Sequence, residues 1–232
     1  MATIEVLPVE GLPELRQGDV LADLVTERID LRDGDVVVVT QKVVSKVEGR
    51  LVALAEGDTE ARRALIERES VRVLRRRDEL LITETPHGFV CANSGVDQSN
   101  VEEGVAALLP VDPDRSARRI RDRLRARAGV EVGVIVSDTF GRAWRKGVTD
   151  VAIGCAGIAA VIDLRGTRDA SGRVLEATEV AVADEIAAAA ELAMGKAAGV
   201  PVAVVRGCPA VWFREGSIVQ EVVRPPAEDL FR

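Results

Sequence analysis

Three short β-branched runs, each bounded by turn residues, constrain this chain more than any other feature. They are Asp-Val-Val-Val-Val-Thr at residues 35–40, Val-Gly-Val-Ile-Val-Ser at 132–137 and Pro-Val-Ala-Val-Val-Arg at 201–206. Runs this apolar, without polar alternation, read as strands buried on both faces. Two shorter strands fit residues 80–83 and 89–92, on either side of a Pro86-His87-Gly88 turn. Helical periodicity covers 59–77, 116–128 and 179–196, the last rich in Ala, with Asp184, Glu185 and Glu191 interrupting its apolar face. Strands and helices do not alternate as regular βαβ units, so the expected class is α+β, a mixed α/β architecture. Residues 1–232 read as one unit. The turn-rich Leu109-Pro110-Val111-Asp112-Pro113-Asp114 is the candidate junction between two subdomains.

Totals exclude several functions. A formal charge of -7 and a pI near 5.0 argue against a protein built to follow a nucleic-acid backbone. A small anion held by a local cluster of Lys and Arg, or by a metal, stays open. Cys91, Cys155 and Cys208 are odd in number and far apart, which fits neither a disulfide framework nor zinc-ligand spacing, so they read as packing residues. The start of the chain has no basic segment followed by an apolar run, and no apolar stretch approaches the roughly 20 residues of a membrane span. No membrane and a cytoplasmic location are expected. His87 is the single histidine and reads as a surface turn residue, so a Ser/His/Asp triad and a paired-His zinc site are both ruled out. Chemistry falls to carboxylates, lysines, arginines and bound ions.

Neither a Gly-x-x-x-x-Gly-Lys-Ser/Thr loop nor a Gly-x-Gly-x-x-Gly fingerprint occurs. A nucleotide would need another holder, such as a carboxylate and a hydroxyl that keep magnesium or manganese against its phosphates, with a lysine nearby. Asp138-Thr139 supplies such a pair at the exit of the second run, ahead of Gly141, which permits a sharp turn. The same two residues equally fit a helix or turn cap. Asp97, in the polar loop Gly95-Val96-Asp97-Gln98-Ser99-Asn100, could share the ion or serve an ordinary turn. Lys42 and Lys46, four apart after Thr40, fall on one face of a helix near its anion-attracting start. Arg142, Arg145 and Lys146 bring more positive charge close to Asp138 in sequence, and the basic run at 118–127 reads as a solvated helix face.

The stretch Ser137-Asp138-Thr139-Phe140-Gly141-Arg142-Ala143-Trp144-Arg145-Lys146-Gly147, continuing to Ala152-Ile153-Gly154-Cys155-Ala156-Gly157, resembles the signature of coenzyme F420-0:L-glutamate ligases. The likeness extends through Gly11-Leu12-Pro13-Glu14, Lys42-Val43-Val44-Ser45-Lys46, residues 95–100, residues 179–190 and Val204-Val205-Arg206-Gly207. It implies a GTP-dependent enzyme that adds one or more L-glutamates to the lactyl carboxylate of the precursor coenzyme F420-0. A divalent metal, magnesium or manganese, and in some relatives potassium, would assist. The implied assembly is an intertwined homodimer of two-subdomain subunits. Matched by motif, Asp97 and Asp138 would hold one metal and Thr139 a second, while Gly11, Leu12, Pro13, Glu14, Thr40, Gln41, Lys46 and Asn100 would contact GTP. Asp97, Asp138 and Lys46 would be the catalytic set, and residues 194–201 would add nucleotide contacts. Relatives commonly carry Ser in place of Gln41. Some also fuse a flavin-binding, reductase-like domain absent from this sequence, so its reductive step is not expected of this chain.

Such a site answers a chemical need, because a carboxylate repels an amine nucleophile and has no usable leaving group. Phosphoryl transfer from GTP gives an acyl phosphate, which the amine of glutamate then displaces. Two other readings share these residues: a nucleotide- or coenzyme-binding protein without turnover, and a glutamate ligase acting on another carboxylate such as a folate.

Overall fold

A computed structural model describes residues 3–229. In chain order its elements are β1 (Glu5–Pro8), α1 (Leu21–Thr26), β2 (Val36–Thr40), α2 (Gln41–Val47), β3 (Leu51–Ala53), α3 (Thr59–Arg68), β4 (Arg72–Arg77), β5 (Leu80–Glu84), β6 (Val90–Ala92) and β7 (Val105–Ala107). There follow α4 (Pro113–Ala128), β8 (Gly133–Arg142), β9 (Arg145–Ala156), β10 (Ile162–Asp163), β11 (Glu179–Val180), α5 (Val182–Met194), β12 (Val202–Arg206) and α6 (Ile218–Glu221). The architecture is α+β.

The three apolar runs are neighbours in one five-stranded sheet of order β1-β12-β2-β8-β9. Only β2 and β8 run parallel; the other pairs are antiparallel, which explains why no regular βαβ alternation is visible. Val36 through Val39 are fully buried at four consecutive positions. Successive strand side chains point to opposite faces, so both faces of β2 must be covered. Helix α5 packs against all five strands, and α4 lies on β8 and β9. At Gly154 the approach of α4 is too close for a side chain, since a Cβ there would lie 2.3 Å from the Pro113 carbonyl. That approach lets buried Asp114 accept from the Cys155 amide (2.8 Å) and the Ser217 hydroxyl (2.7 Å).

A second, smaller core of Leu54, Leu65, Ile66, Leu81, Val96, Ala106 and Leu108 ties together α3, the β3-β7 pair and the β4-β5-β6 sheet. This region carries the polar loop that contains Asp97.

Four expectations need correction. The helix expected over 59–77 stops at Arg68, and Arg72–Arg77 forms a strand instead, paired to β5 through a turn at Asp78, whose φ is 54°. Its alternative to a solvated helix face is a solvated edge strand, and the partner β5 decides between them. The helix over 179–196 is shorter at both ends, with Glu179–Val180 in a two-stranded ladder and Gly195 as its C-cap. Strand β8 runs on past residue 137 to Arg142, because β9 offers it a partner along its whole length. Gly141 is therefore not the turn, which falls after Arg142, where Trp144 takes a positive φ of 58°. His87 is no free surface residue either: its Nε2 lies 3.0 Å from the Pro110 carbonyl and its ring stacks on Phe89.

Candidate active-site cleft

The first helical turn of α2 begins directly where β2 ends, with Thr40 in extended conformation at the junction. Beside it the parallel register sets Thr40 against Ser137, which brings Asp138 and Thr139 of β8 next to the start of α2. A cleft of about 410 Å³ opens there, lined by six chain segments, among them residues 12–15, the β2-α2 junction and the loop after α5.

Of the residues expected to act, Leu12, Pro13, Glu14, Thr40, Gln41, Lys46, Asn100, Asp138 and Thr139 line this cleft. Gly11 and Asp97 do not. The Gly11 carbonyl accepts from Arg28 Nε at 3.1 Å. Asp97 reaches the cleft through an ion pair, its Oδ2 standing 2.8 Å from Nζ of Lys42, which does line it. The Asp97 carboxylate also accepts from the Ser99 amide at 2.7 Å, a local turn bond that holds it in place. Lys46 donates to Glu14 across the cleft mouth. Gln41 is buried, and its amide already donates to Ser45 Oγ (2.7 Å) and the Leu108 carbonyl (2.8 Å), so neither hydrogen is directed at a cleft ligand. Arg142, Arg145 and Lys146 lie exposed at the far end of the β8-β9 hairpin, outside the lining. A hairpin carries them away from Asp138 as fast as the strand rises.

One residue, Asp150, lies outside every expected set, and a second, Lys196, is covered only by the range 194–201. Asp150 faces Thr139 in the β8-β9 register, is almost fully buried, and accepts from Thr139 Oγ1 (2.6 Å) and Ser137 Oγ (3.1 Å). Lys196, from the loop after α5, donates to Asp150 Oδ1 (2.9 Å) and to Thr139 Oγ1. Pairing 137–142 back onto 145–156 would have revealed Asp150; the resemblance points to the 194–201 loop as a whole, but nothing local singles out Lys196 within it.

Electrostatics separate the carboxylates. Burial pushes Asp138 up to about 7; the Thr139 amide draws it back, the charges of Asp97 and Asp150 raise it further, and Lys42 lowers it. Burial also lifts Asp97, but the bonds and charge of Lys42 and the bonds from Ser99 outweigh it and leave that carboxyl below its usual range. Burial moves the thiols of Cys91, to about 12, and Cys208, to about 11, away from reactivity, consistent with packing roles.

The raised Asp138 has a measurable consequence. Its ordinary value is 3.8, so between about pH 4 and about 7 the folded chain keeps a proton that the unfolded chain releases. The associated stability is full below pH 4 and is lost as pH rises through 7. In chelator, Asp138→Asn is expected to melt above the unsubstituted protein at pH 8, with the gap closing at pH 4.5. A gap of equal size at both pH values would contradict the protonation.

A hard divalent ion prefers oxygen donors. Asp97 and Asp138 supply them, and a carboxyl raised chiefly by burial and further by two neighbouring anions is one that a cation would settle. Among the described residues, however, no three His, Cys, Asp or Glu side chains are already drawn together around one point. The donors fit such an ion; the ammonium groups of Lys42 and Lys196 stand among them.

The family described as F420-0:Gamma-glutamyl ligase matches residues 11–207. A relative from Methanothermobacter thermautotrophicus, named Coenzyme F420:L-glutamate ligase, is 42% identical over 99% of both chains. Relatives of the same name from Methanopyrus kandleri and Archaeoglobus fulgidus are each 43% identical, covering 100% and 99% of this chain and 99% and 96% of their own length. These likenesses put the chain among the enzymes that form amides, as a ligase. It belongs to the F420-0:gamma-glutamyl ligase family. No helix among the described residues is long and apolar enough to cross a membrane.

Proposed function

We propose that this enzyme joins the amine of L-glutamate to the free carboxylate of coenzyme F420-0 in coenzyme F420 biosynthesis, using GTP to activate that carboxylate as an acyl phosphate. The observation that carries this reading is the cleft itself: nine of the residues matched to nucleotide and metal roles, distant in sequence, line one cavity.

In that cavity Lys46 stands where a phosphate chain would enter, and its ammonium leaves Glu14 for the more highly charged phosphate oxygens. Asn100 and the loop carrying Lys196 close the opposite side, tied by Asn100 Nδ2 to the Lys196 carbonyl at 3.5 Å. Asp97 and Asp138 would hold the magnesium or manganese ion. When bound, the ion would supply positive charge to offset that on the phosphoryl group passed to the acceptor carboxylate. Leu12, Pro13, Leu15 and Val200 line part of the cavity with apolar surface, which favours keeping water from an acyl phosphate that it would hydrolyse.

Incubating the purified protein with coenzyme F420-0, glutamate, GTP and manganese is expected to yield a coenzyme heavier by one or more glutamyl units, with GDP released only when both acceptors are present. ATP is expected to give a much lower kcat/KM. GDP release without product, or product with a folate in place of the coenzyme, would support the two other readings instead.

The working assembly is a homodimer. Light scattering at micromolar concentration is expected to return twice the 24.8 kDa chain mass, and a monomeric mass would refute it.

A further inference from the structure

Lys196, like Lys42, is a cleft cation to which the matched motifs give no individual role, and its surroundings are specific. Its Nζ donates to Thr139 Oγ1, donates to Asp150 Oδ1 at 2.9 Å, and lies 3.3 Å from Glu191 Oε1. An ammonium has three hydrogens, and these three oxygens take all of them. A hydroxyl beside two carboxylates is also the oxygen set that a hard divalent cation would seek.

The other arm of the cleft differs. Lys42 pairs with one oxygen of Asp97 and with Ser99 Oγ at 2.6 Å, but among the described residues no ammonium or guanidinium pairs with Asp138. Each lysine thus answers its own carboxylates, and the charge left over is that of Asp138. Enzymes of phosphoryl transfer often use two metal ions, one on each side of the reacting group.

We propose that the Lys196 ammonium is a built-in cation at Thr139 and Asp150, so that the cleft takes one divalent ion per chain rather than two. The inference rests on the metal-dependent reading above. Its consequence is that Thr139 serves to position Lys196 and Asp150 and is not itself a metal ligand. The lysine brings a fixed positive charge to the phosphoryl site without having to be recruited from solution.

Manganese titration of the full-length protein without nucleotide, following the electron paramagnetic resonance signal of the free ion, counts the bound ions. One ion per chain is expected for the unsubstituted protein and for Lys196→Arg. Two are expected for Lys196→Glu, which removes the ammonium and adds a third carboxylate to Asp150 and Glu191. The Lys196 side chain is 53% exposed, so these variants should fold, which a melting curve verifies. Two ions in the unsubstituted protein would overturn the inference while leaving the metal reading intact. One ion in Lys196→Glu would overturn it as well. No ion in any of the three would overturn the metal reading, and the inference with it.

Discussion

Asp138→Asn and Asp97→Asn are each expected to lower turnover by roughly 10²–10³-fold or more, the cost of removing one preorganised charge-stabilising group from a transition state. Both substitutions keep size and remove charge. At position 138 the amide cannot become the anion that a divalent ion stabilises, so affinity for the ion should fall together with kcat. Asn at 97 can still accept from the Ser99 amide, which preserves the loop, but loses its charge partner Lys42. Fold loss is not the cause to expect, since without ion at alkaline pH the Asp138→Asn chain should be the more stable one. Asp58→Asn supplies the control. Asp58 caps α3 through the Ala61 amide at 2.9 Å, and Asn caps about equally well, so a change within about 0.5 kcal/mol and normal turnover are expected. Near-normal activity with unchanged metal dependence in either test variant would return that aspartate to the role of a turn residue.

The legible part of this fold was its centre. Val36–Thr40, Gly133 onward and Val202–Arg206 announce themselves because strands buried on both faces cannot carry polar alternation, and they are neighbours in the sheet. The periphery was harder to read for a physical reason. Arg72–Arg77 is charged enough to be solvated as helix or strand, and only its long-range pairing with β5 selects the strand. The site shows the same division. Lys42, Lys46, Asp138 and Thr139 could be found because they sit next to a strand end or in a strand, where sequence distance and space agree. Asp150 comes within hydrogen-bond reach of Thr139 only through hairpin register, and Lys196 only through the path of the loop after α5. Gln41 lines the cleft as its place after β2 implies, while its side-chain nitrogen faces inward to Ser45 and Leu108, an orientation set by tertiary contacts that local sequence does not carry.

Lys46→Met is expected to reduce kcat by roughly 10²–10³-fold with a smaller rise in the KM for GTP. Its side chain is only 14% exposed, so its four-carbon stem is packed at the cleft while the ammonium is the part free to act. Methionine retains the apolar stem and deletes the charge, which separates the two contributions. In the ligand-free chain that charge is held by Glu14, whose own side chain is 70% exposed, so the pair costs little to break when a phosphate arrives. Charge that builds on the phosphoryl oxygens during transfer is greater than in bound GTP, and an ammonium fixed beside them acts more on the transition state than on the ground state. Glu14→Gln is the complementary change: it frees Lys46 before the nucleotide binds, and should tighten GTP binding or leave it unchanged while sparing kcat. If Lys46→Met instead raised KM alone and kcat stayed normal, Lys46 would be a uniform binding contact and phosphoryl transfer would draw its positive charge from elsewhere, with Lys42 and Lys196 the cations left in the cleft to supply it.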